Sequence, residues 1–174
     1  GALNTLSVTS SVMYSPIAQK VLLAAKESAI KMADELVSEA ITHAIRNVLQ
    51  YQRVEVLIPI PSRKSAARKR GRQFIYEMSQ PVANEMDLAI ASPISYLRSV
   101  RDQTGLHIAQ RWNNLHGAFV VERSEGQGQR ALLVDDLVTT GATLLEAARA
   151  ARYAGFTVIG AVTAAVAQPV RLRE

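Results

Sequence analysis

Two adjacent carboxylates, Asp135 and Asp136, stand between an apolar run, Ala131-Leu132-Leu133-Val134, and a hydroxyl-rich stretch, Thr139-Thr140-Gly141-Ala142-Thr143. The order of residue types predicts a buried strand, a tight loop and the start of a helix, because residues 144–152 are rich in good helix formers. At a helix N-terminus several backbone N–H groups lack intrahelical partners and the dipole is positive. Residues 139–143 therefore make a cradle for a phosphate, to which Thr139, Thr140 and Thr143 can add hydroxyl donors. A carboxylate repels the group that such a loop attracts, so the two acids must meet other atoms of the same ligand. Ionised carboxylates accept hydrogen bonds from sugar hydroxyls, and a ribose carrying a 5-phosphate accounts for both halves of the stretch. The plainer alternative is a strand–helix crossover whose Asp and Thr residues only cap the helix. Triphosphate hydrolysis finds no Gly-x-x-x-x-Gly-Lys-Ser/Thr here, and Gly126-x-Gly128 precedes the strand instead of following it, so it is no dinucleotide fingerprint.

A second charged group has the opposite sign. Arg63, Lys64, Arg68, Lys69, Arg70 and Arg72 put six cations and no acid into residues 63–72, while the whole chain carries a formal charge of only +5, so the remainder sums to −1. Basicity this local suits a polyanionic small ligand as well as a nucleic-acid backbone. The cluster follows Val54-Glu55-Val56-Leu57-Ile58-Pro59-Ile60-Pro61, which reads as a central strand ending near Pro59, where prolines remove ladder donors. Residues 61–71 are then expected to leave the sheet edge as a basic loop. Arg63 and Lys64, nearest the strand end, are the cations expected to reach a ligand over Asp135 and Asp136.

The stretch from Leu132 to Thr143 resembles the phosphoribosyl diphosphate (PRPP) motif of type I phosphoribosyltransferases, with its hydrophobic strand, two acids and Thr-Thr-Gly-x-Thr loop. The Pro-x-Pro and Arg-Gly stretch of residues 59–71 is similar to that of the competence-associated, ComF-like branch, although Arg70-Gly71-Arg72-Gln73-Phe74 departs from the usual Arg-Gly-Phe-Asn-Gln. Met13-Tyr14 to Lys26 weakly resembles the tyrosine- and lysine-bearing segment before the first strand in that branch. Arg101, Gln103, Thr104, Leu106, Arg111 and Asn114 resemble its Arg-x-x-x-Gln-x-x-Leu…Arg-x-x-Asn loop pattern, with Arg101 two residues before Gln103 where the pattern has four, whereas its cysteine-rich N-terminal zinc module has no counterpart. The resemblance implies an α/β fold with a mainly parallel central sheet flanked by helices and a small N-terminal helical segment. It also implies attack of a nitrogen nucleophile on C1 of PRPP with loss of diphosphate. Asp135 and Asp136 would then grip the ribose hydroxyls, residues Thr139, Thr140, Gly141, Ala142 and Thr143 the 5-phosphate, and Arg63 with Lys64 the diphosphate. Arg101 would act from a lid over the reaction centre. Magnesium would be held mainly through PRPP oxygens and water, with no protein metal ligands. The acceptor is unassigned, a nucleobase being one candidate. The alternative is a non-catalytic PRPP-sensing or single-strand-DNA-binding module in DNA uptake or recombination; aromatics that would stack bases are only 5% of the chain.

These groups need a scaffold. Ser15-Pro16 opens a helix expected over residues 16 to about 26. Ile30, Ala33, Val37, Ile41, Ala44 and Val48 recur at three- and four-residue steps and predict a second helix with a core-facing stripe; His43 within it reads as structural. Phe74, Met78, Val82 and Met86 predict another, kinked or divided at Pro81. Residues 88–97 are expected to return to the sheet, with a strand over 94–97. Residues 98–106 read as a loop and 108–115 as an amphipathic helix, with His107 and His116 as helix-end residues. Strands are expected over 117–121 and 156–165, the latter after a helix closed by Gly155, in a parallel crossover.

At 174 residues and 48% hydrophobic content, residues 1–174 suit a single domain with an adequate core. Without cysteine the chain makes no disulfide or thiolate zinc site, and no apolar run reaches membrane-spanning length. The expected setting is the cytoplasm, with no membrane partner and with an oligomer compatible.

Overall fold

The computed structural model describes residues 6–97 and 118–167. Their centre is a five-stranded, wholly parallel sheet. Its strands are β1 (Val8–Met13), β2 (Val56–Pro59), β3 (Ala89–Ile90), β6 (Arg130–Val138) and β7 (Thr157–Val166), in the order β1-β7-β6-β2-β3. The expected α/β architecture is thus the one observed. Beside it lies an antiparallel pair, β4 (Ile94–Tyr96) and β5 (Phe119–Val121), with Ile94 opposite Val121.

Alternation along the central strands explains why they read as unbroken apolar runs. Leu57, Leu132 and Val134 face one core, with α1 (Pro16–Ser28), α2 (Lys31–Leu49) and α4 (Phe74–Glu85). Val56, Ile58, Ala131 and Leu133 face the other, with α5 (Ala142–Tyr153) and the β4–β5 pair. A sheet covered on both faces needs apolar residues at every position. In α2, Ala33, Val37, Ile41, Ala44 and Ile45 are buried, the stripe that the spacing predicts. Ser15 caps α1 by accepting the Ala18 N–H at 3.1 Å, with Pro16 in the first turn. Gly155 follows α5 at φ +97°, the left-handed conformation expected of it.

Two local expectations are corrected, and of the two outcomes expected at Pro81, a kink or a division, the second is excluded. Residues 61–71 are not all loop: α3 (Lys64–Arg70) occupies most of them, because Ser65-Ala66-Ala67 favours helix and Gly71, at φ +73°, ends it. No residue of α3 is buried, so no hydrophobic stripe could announce it. Pro81 does not divide α4, which runs through it; the proline is exposed, so water can satisfy the carbonyl that it leaves without a donor. Residues 94–97 do not rejoin the main sheet, since β4 pairs only with β5 among the described residues.

One strand was not anticipated. Val8–Met13 is half polar, yet it pairs in parallel with β7 at the sheet edge, where Ser10 Oγ and Thr163 Oγ1 share a hydrogen bond of 2.5 Å. Among the described residues no helix is long and apolar enough to cross a membrane.

Candidate functional site

The C-terminal end of β2 lies beside the middle of β6, with Pro59 opposite Val134, and β6 runs on to Val138. In an open parallel sheet this is the edge at which ligands bind, because the crossover helices leave a crevice there. A cavity of about 380 Å³ opens at this point, lined among others by Lys26, Arg63, Arg70, Tyr96, Asp135 and Asp136, with Thr139 and Thr143.

The acids sit within β6, which continues to Val138, and not beyond its end as the apolar run alone suggests. Asp136 is 8% exposed. Its backbone N–H donates to Asp135 Oδ1 at 2.8 Å, and its Oδ2 accepts from Lys26 Nζ at 2.5 Å. Burial pushes the Asp135 carboxyl well above the usual carboxylate range, and the adjacent Asp136 pushes it further; the Asp136 N–H and the Lys26 charge oppose the rise. Tyr96, whose ring stacks at 4.4 Å on Phe119, has its phenol raised to about 12 by burial and then by the Asp135 charge, against the pull of Arg63. The Arg63 guanidinium lies 5.6 Å from the centre of the Tyr96 ring. Acids and cations thus face one space.

Beyond the acids the chain turns through Thr139 and Thr140 to Gly141, whose φ of +76° is left-handed. That turn starts α5 at Ala142: the Gly141 carbonyl accepts the Leu145 N–H at 2.9 Å, and the Ala142 N–H reaches Thr140 Oγ1 at 3.4 Å. Thr139 and Thr143 line the cavity; Gly141 and Ala142, which lie between them in sequence, are buried and do not line it.

The basic window divides. Arg63 and Arg70 line the cavity, while Lys64, Arg68 and Lys69 are exposed and do not line it. Arg72 is tied elsewhere: it donates to both Asp34 oxygens at 2.8 and 3.0 Å and stacks 5.0 Å from the Phe74 ring centre, fastening the α3–α4 junction to α2. Arg101, with Gln103, Thr104, Leu106, Arg111, Asn114 and the 108–115 helix, lies outside the described residues. Leu97 and Ala118, which flank residues 98–117, are joined by a 2.8 Å backbone hydrogen bond immediately beside Tyr96.

Sequence reasoning did not single out Lys26, Tyr96 or Arg70 as cavity residues, nor Glu27, which bonds Arg70 without lining the cavity. For Lys26 a signal existed in the lysine-bearing segment that it closes, but its contact with Asp136 spans 110 positions and has no local pattern. Replacing it tests the electrostatics. Lys26→Met removes the cation facing the acid pair and should cost about 1 to 2 kcal/mol at neutral pH, below the range for a fully buried pair because Lys26 is partly exposed. The deficit should be smaller in an acidic than in a neutral buffer, as the raised Asp135 carboxyl takes up a proton. Thermal melts at both pH values measure it; an equal deficit at both would separate Lys26 from the acids.

Comparison with known proteins adds to this geometry. Residues 35–173 match the family described as "Phosphoribosyl transferase domain". A competence protein F of Haemophilus influenzae is 31% identical over 104 residues, covering 58% of this chain and 45% of that protein. An orotate phosphoribosyltransferase of Mycobacterium leprae is 42% identical over 57 residues, covering 32% of each. The chain therefore spans less than half the length of the curated relatives it matches. Among solved structures, an adenine phosphoribosyltransferase superposes with a TM-score of 0.53 at 8% identity, covering 80% of this chain and 72% of that one. The adenine phosphoribosyltransferase of Leishmania tarentolae gives 0.50 at 11% identity, covering 82% and 62%. Identities this low speak for the fold alone.

Proposed function

We propose that this chain, which belongs to the phosphoribosyl transferase domain family, binds PRPP in the cavity between β2 and β6 and transfers its phosphoribosyl group to a nitrogen nucleophile with release of diphosphate. The observation that carries this is the opposition of two acids and two arginines across one cavity of about 380 Å³, with a hydroxyl-rich helix N-terminus on its rim. A ligand with hydroxyls in the middle and phosphates at both ends meets all three.

Asp135 and Asp136 accept from the ribose hydroxyls. Thr139 and Thr143, with the backbone N–H groups around Gly141 and Ala142, hold the 5-phosphate. Arg63 and Arg70 receive the diphosphate, Lys64 adding to the local positive field from outside the cavity. The C1–O bond to diphosphate breaks as the nitrogen of the acceptor bonds to C1, and the proton lost from that nitrogen passes to solvent. No covalent nucleophile on the protein is required; holding the reactants in line and stabilising the leaving charge supply the acceleration. Arg101 completes the diphosphate contacts from a lid, a role that rests on the resemblance of its loop. The metal chemistry fits these residues. No group of three or more His, Cys, Asp or Glu among the described residues could cage an ion, and one Asp136 oxygen is already engaged by Lys26, so magnesium would be held mainly through PRPP oxygens and water. When bound, it would supply neutralisation of the charge on the departing diphosphate.

A non-catalytic PRPP sensor or single-strand-DNA-binding module is the second reading, supported by the likeness to a competence protein and by the exposed cations Lys64, Arg68 and Lys69. Assaying diphosphate release from PRPP and magnesium across nucleobases and small amines separates the two. Release that depends on one acceptor and disappears in Asp136→Asn is the expected result. PRPP binding with no release for any acceptor would favour the sensor.

A further inference from the structure

The last turn of α1 carries consecutive charges that meet opposite halves of the cavity. Lys26 holds Asp136, and its neighbour Glu27 holds Arg70, the carboxylate Oε1 accepting from Nε at 3.0 Å and lying 2.9 Å from Nη2. The two contacts differ in consequence. Lys26 adds a cation to a cavity that must take a polyanion. Glu27 does the reverse, engaging with one of its own oxygens the donors through which a guanidinium would bind a phosphate. The Arg70 side chain is 15% exposed and that of Glu27 40%, so the carboxylate covers the arginine from the solvent side and can swing away from it.

We propose that Glu27 is a built-in competitor for Arg70: its carboxylate must leave before a diphosphate binds there, and it retakes the guanidinium as diphosphate departs. This rests on the reading of the cavity as a PRPP site. A diphosphate carries several negative charges and a pair of terminal oxygens suited to a guanidinium fork, so it displaces a single carboxylate. The exchange lowers the affinity of every ligand that uses Arg70 by the same factor and leaves untouched any ligand that does not. Glu27 therefore weakens the hold on PRPP and on free diphosphate relative to ribose 5-phosphate, which favours escape of the leaving group after transfer.

Titration calorimetry with magnesium pyrophosphate, PRPP and ribose 5-phosphate tests this on the wild type, Glu27→Gln, Arg70→Gln and the double variant. Glu27→Gln should bind pyrophosphate and PRPP roughly two- to fivefold more tightly, the range set by a partly exposed ion pair. Its affinity for ribose 5-phosphate should not change, and the gain should vanish in the Arg70→Gln background. Glutamine keeps the shape of an exposed side chain, so folding is not at issue. Unchanged or weaker pyrophosphate binding in Glu27→Gln would overturn the competitor role while PRPP binding by the wild type stood. An equal gain for ribose 5-phosphate, or a gain that survived Arg70→Gln, would overturn it too, by showing a general charge effect. A wild type that binds none of the three ligands would overturn both this role and the PRPP site.

Discussion

Asp135→Asn should make the ligand-free protein more stable and the PRPP complex much weaker. The two effects share one cause. Burial and the neighbouring Asp136 hold the Asp135 carboxyl above its unfolded value, so between the unfolded and folded pKa the native state binds more protons than the unfolded state. Stability therefore falls as pH rises through that window, and above the folded pKa the cost is fully present. Asparagine carries no charge, and its Oδ1 can still accept the Asp136 N–H that Asp135 accepts now. A gain of about 1 kcal/mol at pH 7 is expected, shrinking as the pH falls and the raised Asp135 carboxyl takes up a proton. Binding moves the other way. Removing a charged acceptor of ribose hydroxyls costs about 1.5 to 3 kcal/mol, or roughly 10- to 150-fold in affinity. Melting curves at pH 7 and pH 4 beside PRPP titrations check both halves. A variant less stable at pH 7, or one that kept full affinity, would remove Asp135 from the ligand site.

Gly141→Val should abolish PRPP binding while leaving a folded protein. The φ of +76° at Gly141 is a conformation that a β-branched residue adopts only with strain, on the order of 1 to 3 kcal/mol. The loop can relieve the strain by rotating this residue out of the left-handed region, which turns away the N–H groups that face a phosphate at the start of α5. Gly141 is buried but belongs to neither apolar core, so the loss should be confined to a fall of a few degrees in Tm. Gly141→Ala carries the same φ penalty with less bulk and should weaken binding less. PRPP binding by Gly141→Val at wild-type strength would put the phosphate cradle somewhere else.

What the sequence displayed and what it hid follow the reach of the interactions. The β6–loop–α5 passage was legible because each of its parts is local: Leu132-Leu133-Val134 must be buried on both faces, Gly141 must turn, and Leu144 with Ala147, Ala148 and Ala151 must pack. The α2 stripe was legible for the same reason. β1 was not, since Thr9, Ser10 and Ser11 give no apolar pattern and the strand gains its place from β7, about 150 positions away. α3 was hidden because a helix that buries nothing has no periodicity to show. In the cavity, Asp135, Asp136 and the residues around Gly141 are neighbours in sequence and could be read together. Lys26 and Tyr96 join them, and Glu27 reaches Arg70, only through the packing of α1 and the β4–β5 pair. The basic window looked uniform as a string; three dimensions divide it between the cavity (Arg63, Arg70), an internal ion pair (Arg72) and solvent (Lys64, Arg68, Lys69).

That division makes the most direct test possible. Titration of PRPP with magnesium into the wild type, into Arg63→Ala and into Arg68→Ala with Lys69→Ala asks whether the cavity, and not the basic surface, is the binding site. A PRPP site predicts saturable binding by the wild type, a loss of at least about tenfold in Arg63→Ala, which removes a charged donor to the diphosphate, and no change in the Arg68, Lys69 variant. Failure of the wild type to bind PRPP, or binding indifferent to Arg63 but sensitive to Arg68 and Lys69, would contradict it.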